Sequence, residues 1–160
     1  MKAAILTISD RASRGERQDR SGPALAAWLA ERSVAVVRMA VLPDEPDAIS
    51  AQLTDWADGG ACDLILTTGG TGVSPRDRTP EATRAVLDRE IPGIAEAMRA
   101  ASLSKTPFAM ISRGLAGIRG RSLIVNLPGS PAGAVENLAG VWPAIPHAVK
   151  KIQGDPSDCV

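Results

Sequence analysis

The stretch from Asp63 to Pro80, DLILTTGGTGVSPRDRTP, does most to restrict what this chain can become. Leu64, Ile65 and Leu66 form an apolar run too short for a helix. Bounded by turn residues, the run predicts a strand buried on both faces of a parallel sheet. Gly69, Gly70 and Gly72 follow at once and let the backbone take positive φ and approach a ligand closely. Thr79 suits an N-cap, Pro80 the first helical position, and Glu81 the positive end of the helix dipole. A strand that empties through glycines into a helix start is how an α/β chain builds an anion site, with backbone N–H groups converging at the strand's carboxyl end. The same glycines also suit a connection that merely turns. The loop lacks the Lys-Ser/Thr ending of a P-loop, and Pro75 stands where the dinucleotide spacing needs glycine, so neither nucleotide motif applies. Asp77, between Pro75 and the helix start, favours the binding reading.

A chain of 160 residues with 44% hydrophobic content can bury one core, so we expect one domain over residues 1–160, with a polar tail from about residue 154. Eighteen basic and eighteen acidic side chains cancel, which removes any general attraction to nucleic acid or to an anionic membrane. An anion site must therefore be local. Three tryptophans and Phe108, with no tyrosine, are too few for a base-stacking platform, and nucleic acid is not an expected partner. Cys62 and Cys159 offer neither metal-ligand spacing nor a disulfide framework. The amino-terminal residues lack the pattern of a secretory leader, and no run approaches the roughly 20 apolar residues of a membrane helix. A soluble, reduced, cytoplasmic setting is the expectation.

The rest of the chain alternates in the same style. Lys2–Ser9 predicts a first buried strand with Ser9 and Asp10 at its carboxyl end. A long polar loop follows, and Ser21 can cap a helix whose apolar stripe is Leu25, Trp28 and Leu29. Val34–Leu42 predicts a second strand, and Pro46 opens a helix with Ile49, Leu53, Trp56 and Ala57 facing a core. On spacing alone, Asp44 reads first as a helix-start carboxylate. The helix from Pro80 should turn Ala82, Ala85 and Val86 inward, and the helix from Pro92 should bury Ile94, Ala97, Met98 and Ala101. Phe108–Ile111 and Leu123–Val125 predict two further strands. Between them lie Arg113, Arg119 and Arg121 among glycines, either an anion grip or a solvated connection. NLPGSP, with Pro128, Gly129 and Ser130, repeats the theme of strand end, glycine and helix start. The last helix, Pro131 to about Gln153, should bend or break near Pro143 and Pro146, and His147 reads as structural.

Taken in order, SDRAS, DRSGP, LPDE, TTGGTG, SPRDRTPEAT, TPFAMISR, AGIRG and NLPGSP resemble the MogA-type molybdopterin adenylyltransferases of molybdenum cofactor biosynthesis, including the G domain of plant Cnx proteins. The likeness runs from about Ile5 to Gln153. It implies a three-layer αβα sandwich with a mostly parallel sheet, usually trimeric, that uses ATP and Mg²⁺ to adenylylate molybdopterin. It also implies a later molybdenum-insertion partner. By the resemblance, Asp44 and Asp77 are the two catalytic, metal-holding carboxylates, which promotes Asp44 above its helix-start reading. Thr68, Gly69, Gly70, Thr71 and Gly72, with Pro128, Gly129 and Ser130, become the nucleotide and phosphate cradle. Ser112 matches a substrate-site serine, and Ser9, Asp10, Arg113 and Arg119 complete the expected substrate site. Two rival activities share these loops: a pterin-binding or assembly protein without transfer, and a nucleotide hydrolase needing no pterin.

Overall fold

A computed structural model describes residues 1–157, so Cys159 lies outside the described residues. The elements run β1 (Lys2–Ile8), α1 (Asp10–Ser13), α2 (Ser21–Ala30), β2 (Ala35–Leu42), α3 (Pro46–Asp58), β3 (Leu64–Thr68), α4 (Thr79–Arg84), β4 (Arg89–Glu90), α5 (Pro92–Leu103), a 3₁₀ turn (Pro107–Ile111), β5 (Ala116–Arg119), β6 (Ser122–Leu127), α6 (Pro131–Val141) and α7 (Ile145–Ile152). The six strands form one sheet in the order β2-β1-β3-β6-β5-β4. β2, β1, β3 and β6 are parallel, while β5 runs antiparallel to both β6 and β4. This is the expected sandwich with a mostly parallel sheet.

The alternation of side chains along buried strands divides the core in two. Ile5, Leu64, Leu66, Leu123 and Val125 point to one face, where α2, α5, α6 and α7 pack on them. Leu6, Ile65 and Ile124 point to the other, against Ile49, Leu53 and Trp56 of α3 and Ala82 of α4. The tryptophan in the α3 stripe is thus core, as its spacing implied. Ala85, Ala97 and Ala101 are exposed, contrary to expectation, and α5 buries Ala95 beside Ile94 and Met98 instead. An alanine is too small to dictate which helical face turns inward when larger apolar residues fix it.

Three further expectations change. Phe108–Ile111 is no strand: Thr106 accepts a hydrogen bond from the Phe108 N–H and Pro107 sets the first helical φ, so a cap-and-proline start overrides a short apolar run. The strand lies in the arginine-bearing connection instead, as β5, turned back onto β6 through Gly120 at φ +53°. Ser21 lies inside α2, whose first N–H groups are served from before the cap by Asp19: its Oδ1 accepts from Ser21 and Gly22, while the Ser21 hydroxyl donates to the Gly129 carbonyl. The last helix does break as its prolines require, ending at Val141 and resuming at Ile145.

A buried polar link joins the two halves of the sheet. Asn126 on β6 donates from Nδ2 to Thr67 Oγ1 and Thr83 Oγ1, each at 2.9 Å, and its Oδ1 accepts from the Leu115 N–H at 3.3 Å. These groups are sealed from water, so removing the amide leaves them unpaired. Asn126→Ala should lower stability by about 2–4 kcal/mol. Urea unfolding should show this as an earlier midpoint at unchanged slope.

Candidate functional site

Strand order sets the place of the site. From β1 the chain crosses to β2 on one side and later to β3 on the other, so the connections leaving β1 and β3 diverge at their carboxyl ends. Open α/β sheets bind ligands in the crevice at such a reversal. The loop after β6 closes the same end, because β6 lies parallel to β3.

The glycine loop fits there only because its residues lack side chains. A Cβ on Gly69, at φ +107°, would run into the Ile8 carbonyl oxygen, and one on Gly129 would stand 3.2 Å from Gly69 Cα. Thr68 Oγ1 donates to the Pro128 carbonyl at 2.6 Å and the Gly69 N–H to the Leu127 carbonyl at 3.2 Å. Thr68 and Gly69 are buried builders of this junction. Gly70, Thr71 and Gly72 continue from it into one wall of a cleft of about 440 Å³, and Pro128, Gly129 and Ser130 form another wall. Ser130 also caps α6, accepting from the Gly133 N–H at 3.1 Å. The volume lies in the range of small-molecule sites.

Asp77 and Ser112 line this cleft, as do Arg99, Lys105 and Asn137, to which the sequence assigned no role. Lys105 pairs with Glu136, which lines the same cleft, at 2.9 Å, and Arg99 donates to the Gly114 carbonyl at 2.9 Å, so this wall carries two cations and one carboxylate. Arg99, on a helix predicted only for its apolar face, and Lys105, in the turn that follows it, carried no signal beyond their charge. The 3₁₀ turn leaves Phe108 75% exposed and Met110 67% exposed. Phe108 and Ile111 line the cleft itself.

Behind the loop lies a carboxylate cluster. The N–H of Asp10 donates to Asp44 Oδ2 at 2.9 Å, and the N–H of Asp44 donates to Asp10 Oδ1 at 3.0 Å. Arg76 clamps Asp10 through Nε at 3.0 Å and Nη2 at 2.9 Å, and its Nη2 also reaches Glu45 at 2.7 Å. The Arg76 hydrogen bonds hold the Asp10 carboxyl below the usual carboxylate range, and its two acidic partners hold Arg76 firmly protonated. Asp44 is pushed the opposite way by burial, with the charges of Asp10 and Asp77 adding to the effect of burial. Its Oδ1 lies 3.0 Å from where a Cβ on Gly70 would stand, and the buried Thr79 hydroxyl, which has no hydrogen-bond partner, faces the same point. Asp77 Oδ2 accepts from the Ser74 N–H at 2.8 Å and stands 2.8 Å from the Cβ position of Gly72.

This donor set suits a divalent cation of the Mg²⁺ kind. Among the described residues no group of three or more His, Cys, Asp or Glu side chains forms a protein cage. Mg²⁺ is commonly held by one or two carboxylates plus substrate phosphates, and Asp44 and Asp77 supply that number. A half-buried carboxylate repelled by two others is also what a cation would relieve.

Ser9 caps α1, accepting from the Ala12 N–H at 3.2 Å, and lines a smaller polar cleft with Arg17 and Arg20. Arg113 turns away from the main cleft and binds the far side of the glycine loop. Arg119 is not brought to the site at all. β5 carries the chain from Gly114 back along the sheet, so Arg119 pairs across from Ser122 at the opposite end of β6. There it binds Asp58 at 2.9 and 2.7 Å and the Val86 carbonyl at 2.8 Å. The expected grip on substrate by Arg119 is corrected by this antiparallel turn.

Residues 4–147 match the model of a family described as a probable molybdopterin binding domain. The chain is 45% identical over 153 residues to a molybdopterin adenylyltransferase of Helicobacter pylori, covering 94% of this chain and 87% of that protein. It is 39% identical to the molybdopterin adenylyltransferase of Escherichia coli, covering 96% and 86% respectively. Among solved structures it resembles the molybdopterin biosynthesis enzyme MoaB of Thermus thermophilus, with a TM-score of 0.91 and 54% identity over 98% of this chain and 99% of that one.

The raised pKa of Asp44 gives a stability prediction. Because folding favours its protonated form, Asp44 costs stability as pH rises through the carboxylate range. Asp44→Asn should therefore melt at or above the wild type near neutral pH. The difference should close as the pH is lowered until Asp44 is protonated in both folded and unfolded wild-type chains. Melting curves across that range, without divalent ion, provide the check.

Proposed function

The chain belongs to the family of molybdopterin binding domains, and we propose that it transfers the adenylyl group of ATP to molybdopterin with a divalent ion held by Asp44 and Asp77. It is a nucleotidyltransferase, a molybdopterin adenylyltransferase. The observation that best supports this reading is the convergence of two glycine loops on one cleft, with Asp77 in its wall and Asp44 behind Gly70.

In the reaction, a terminal phosphate oxygen of molybdopterin attacks the α-phosphorus of ATP. A new P–O bond forms, the bond to the α–β bridging oxygen breaks, and pyrophosphate departs with that electron pair. Both reactants are anions, so charge repulsion opposes their encounter. N–H groups of the Gly70–Gly72 and Gly129–Ser130 segments can donate to phosphate oxygens without reorganising during the reaction. Arg99 adds positive charge at the other wall, where Lys105 is paired with Glu136, beside the apolar surface of Phe108 and Ile111 that suits a flat ring system. The divalent ion, when bound, would neutralise charge on the transferred group and the leaving pyrophosphate. No general base is required, because the attacking phosphate is already ionised. We further read the working enzyme as a cytoplasmic homotrimer whose product passes to a molybdenum-inserting protein.

The test separates transfer from binding and from hydrolysis. ATP with Mg²⁺ alone should yield little pyrophosphate, and adding molybdopterin should release it in step with an adenylylated pterin. Asp77→Asn should melt near the wild type and lose at least about a hundredfold in transfer rate, the scale of removing one electrostatic stabiliser. Tight binding of both substrates by the wild type without product would favour the binding protein. Pyrophosphate release without pterin would favour the hydrolase.

A further inference from the structure

Arg113 follows Ser112, which lines the cleft, yet its own side chain points into the protein and not toward substrate. Its Nε donates to the Gly72 carbonyl at 2.7 Å, its Nη2 to the Asp77 carbonyl, and its Nη1 to the Glu81 carboxylate. The Arg113 N–H donates to the Thr71 carbonyl at 2.9 Å. One residue thus holds both ends of the exposed bend Val73–Arg76 and ties them to the first turn of α4. Burial pushes Glu81 up, but the Arg113 bond and the Glu81 N–H outweigh it and keep the carboxylate ionised.

We propose that Arg113 is a positioning residue, a guanidinium strut that fixes the distance between Gly72 and Asp77 and so aims the Asp77 carboxylate into the cleft. The proposal rests on the adenylyltransferase reading and reassigns Arg113 from substrate ligand to support. The bend has one other long-range anchor, the Arg76 side chain on Asp10 and Glu45. Val73, Ser74, Pro75 and Arg76 are exposed, and two bonds near Asp77 are local, from the Asp77 N–H to the Ser74 carbonyl at 2.9 Å and from the Ser74 N–H to Asp77 Oδ2. A local turn keeps its own shape but not its place on the sheet. Arg76 ties the tip of the bend to Asp10 and Glu45, but the planar Arg113 fork alone bonds both Gly72 and Asp77, serving three acceptors in fixed directions that a lysine ammonium cannot reproduce. Because Ser112 is adjacent in the chain, the same strut also registers the substrate wall against the glycine loop.

The matched control is Arg119, an arginine with the same kind of multiple anchoring at the far end of the sheet. Arg113→Ala should lower kcat at least about tenfold while KM for molybdopterin changes less than about threefold, since misplacement by a fraction of an ångström acts on the reacting geometry. Arg113→Lys should recover little of the lost kcat, and Arg119→Ala should keep kcat near wild type even if it melts earlier. Amide exchange of residues 71–77, followed without substrates, should quicken at least about tenfold in both Arg113 variants and stay unchanged in Arg119→Ala. A large rise in molybdopterin KM at unchanged kcat would make Arg113 a substrate ligand and overturn the proposal. So would unaltered exchange in the 71–77 segment, or full activity in Arg113→Lys. If Arg113→Ala does not fold, Arg113→Lys carries both measurements. If the wild type forms no adenylylated product, the functional reading fails, while the exchange data still decide whether the strut exists.

Discussion

Three strand ends meet at a point where there is no room for a side chain, and the architecture of the site depends on that contact. Gly69 passes so close to the Ile8 carbonyl that any Cβ would collide, and Gly129 crowds Gly69 from the side of β6. At φ +107° a substituted residue would carry backbone strain as well. The result is that the loops after β1, β3 and β6 do not splay apart at the reversal in strand order. The loops after β3 and β6 run on together into the walls of one cleft. The Thr68 hydroxyl, spent on the Pro128 carbonyl, stitches the two glycine-containing loops to each other.

This compression also explains the electrostatics. Drawing the strand ends together brings Asp10, Asp44 and Asp77 close enough for their charges to raise the proton affinity of Asp44. The protein relieves only part of that repulsion. Arg76 neutralises Asp10 but reaches it from an exposed loop, with its own side chain 53% accessible, so water screens much of the attraction. Asp44 receives a backbone N–H and feels the Arg76 charge, but among the described residues it forms no ion pair. Packing alone would have favoured an amide or apolar residue there. A carboxylate kept at such a position makes physical sense where a divalent ion and phosphates complete the charge balance.

The layers, the strand at Leu64–Thr68, both glycine loops and the proline break near the carboxyl end were readable because each rests on local chemistry: an apolar run, a required positive φ, a missing N–H. Asp77 and Ser112 were legible as members of a family pattern, and the cleft brings them together. Arg99 and Lys105 were not legible, because a charge on a helix or in the turn after it looks the same whether it faces water or a ligand cavity. The Thr79 hydroxyl was expected to cap α4 and instead stands unpartnered beside Gly70. Its fate depends on a fold of the loop that no local rule contains. Phe108–Ile111 failed because four apolar residues carry too little periodicity to outweigh the Thr-Pro start that precedes them.

The pair Arg113 and Arg119 shows why chemical type cannot stand for position. Six residues separate them, both lie among glycines, and both were read as grips on an anion. The chain between them enters β5 at Ala116, and at about 3.4 Å per residue that strand carries the second guanidinium down the sheet. Only the direction of that strand decides which arginine stays near the glycine loops, and direction follows from the turn at Gly120 that pairs β5 antiparallel to β6. Had the connection been a crossover to a parallel strand, the carboxyl end of β5 and Arg119 with it would have stood at the site. The hairpin therefore divides two equivalent side chains into a support beneath the reacting groups and a clamp between α3 and the carboxyl end of α4. Turn geometry, acting at a residue with no functional group, assigns the roles.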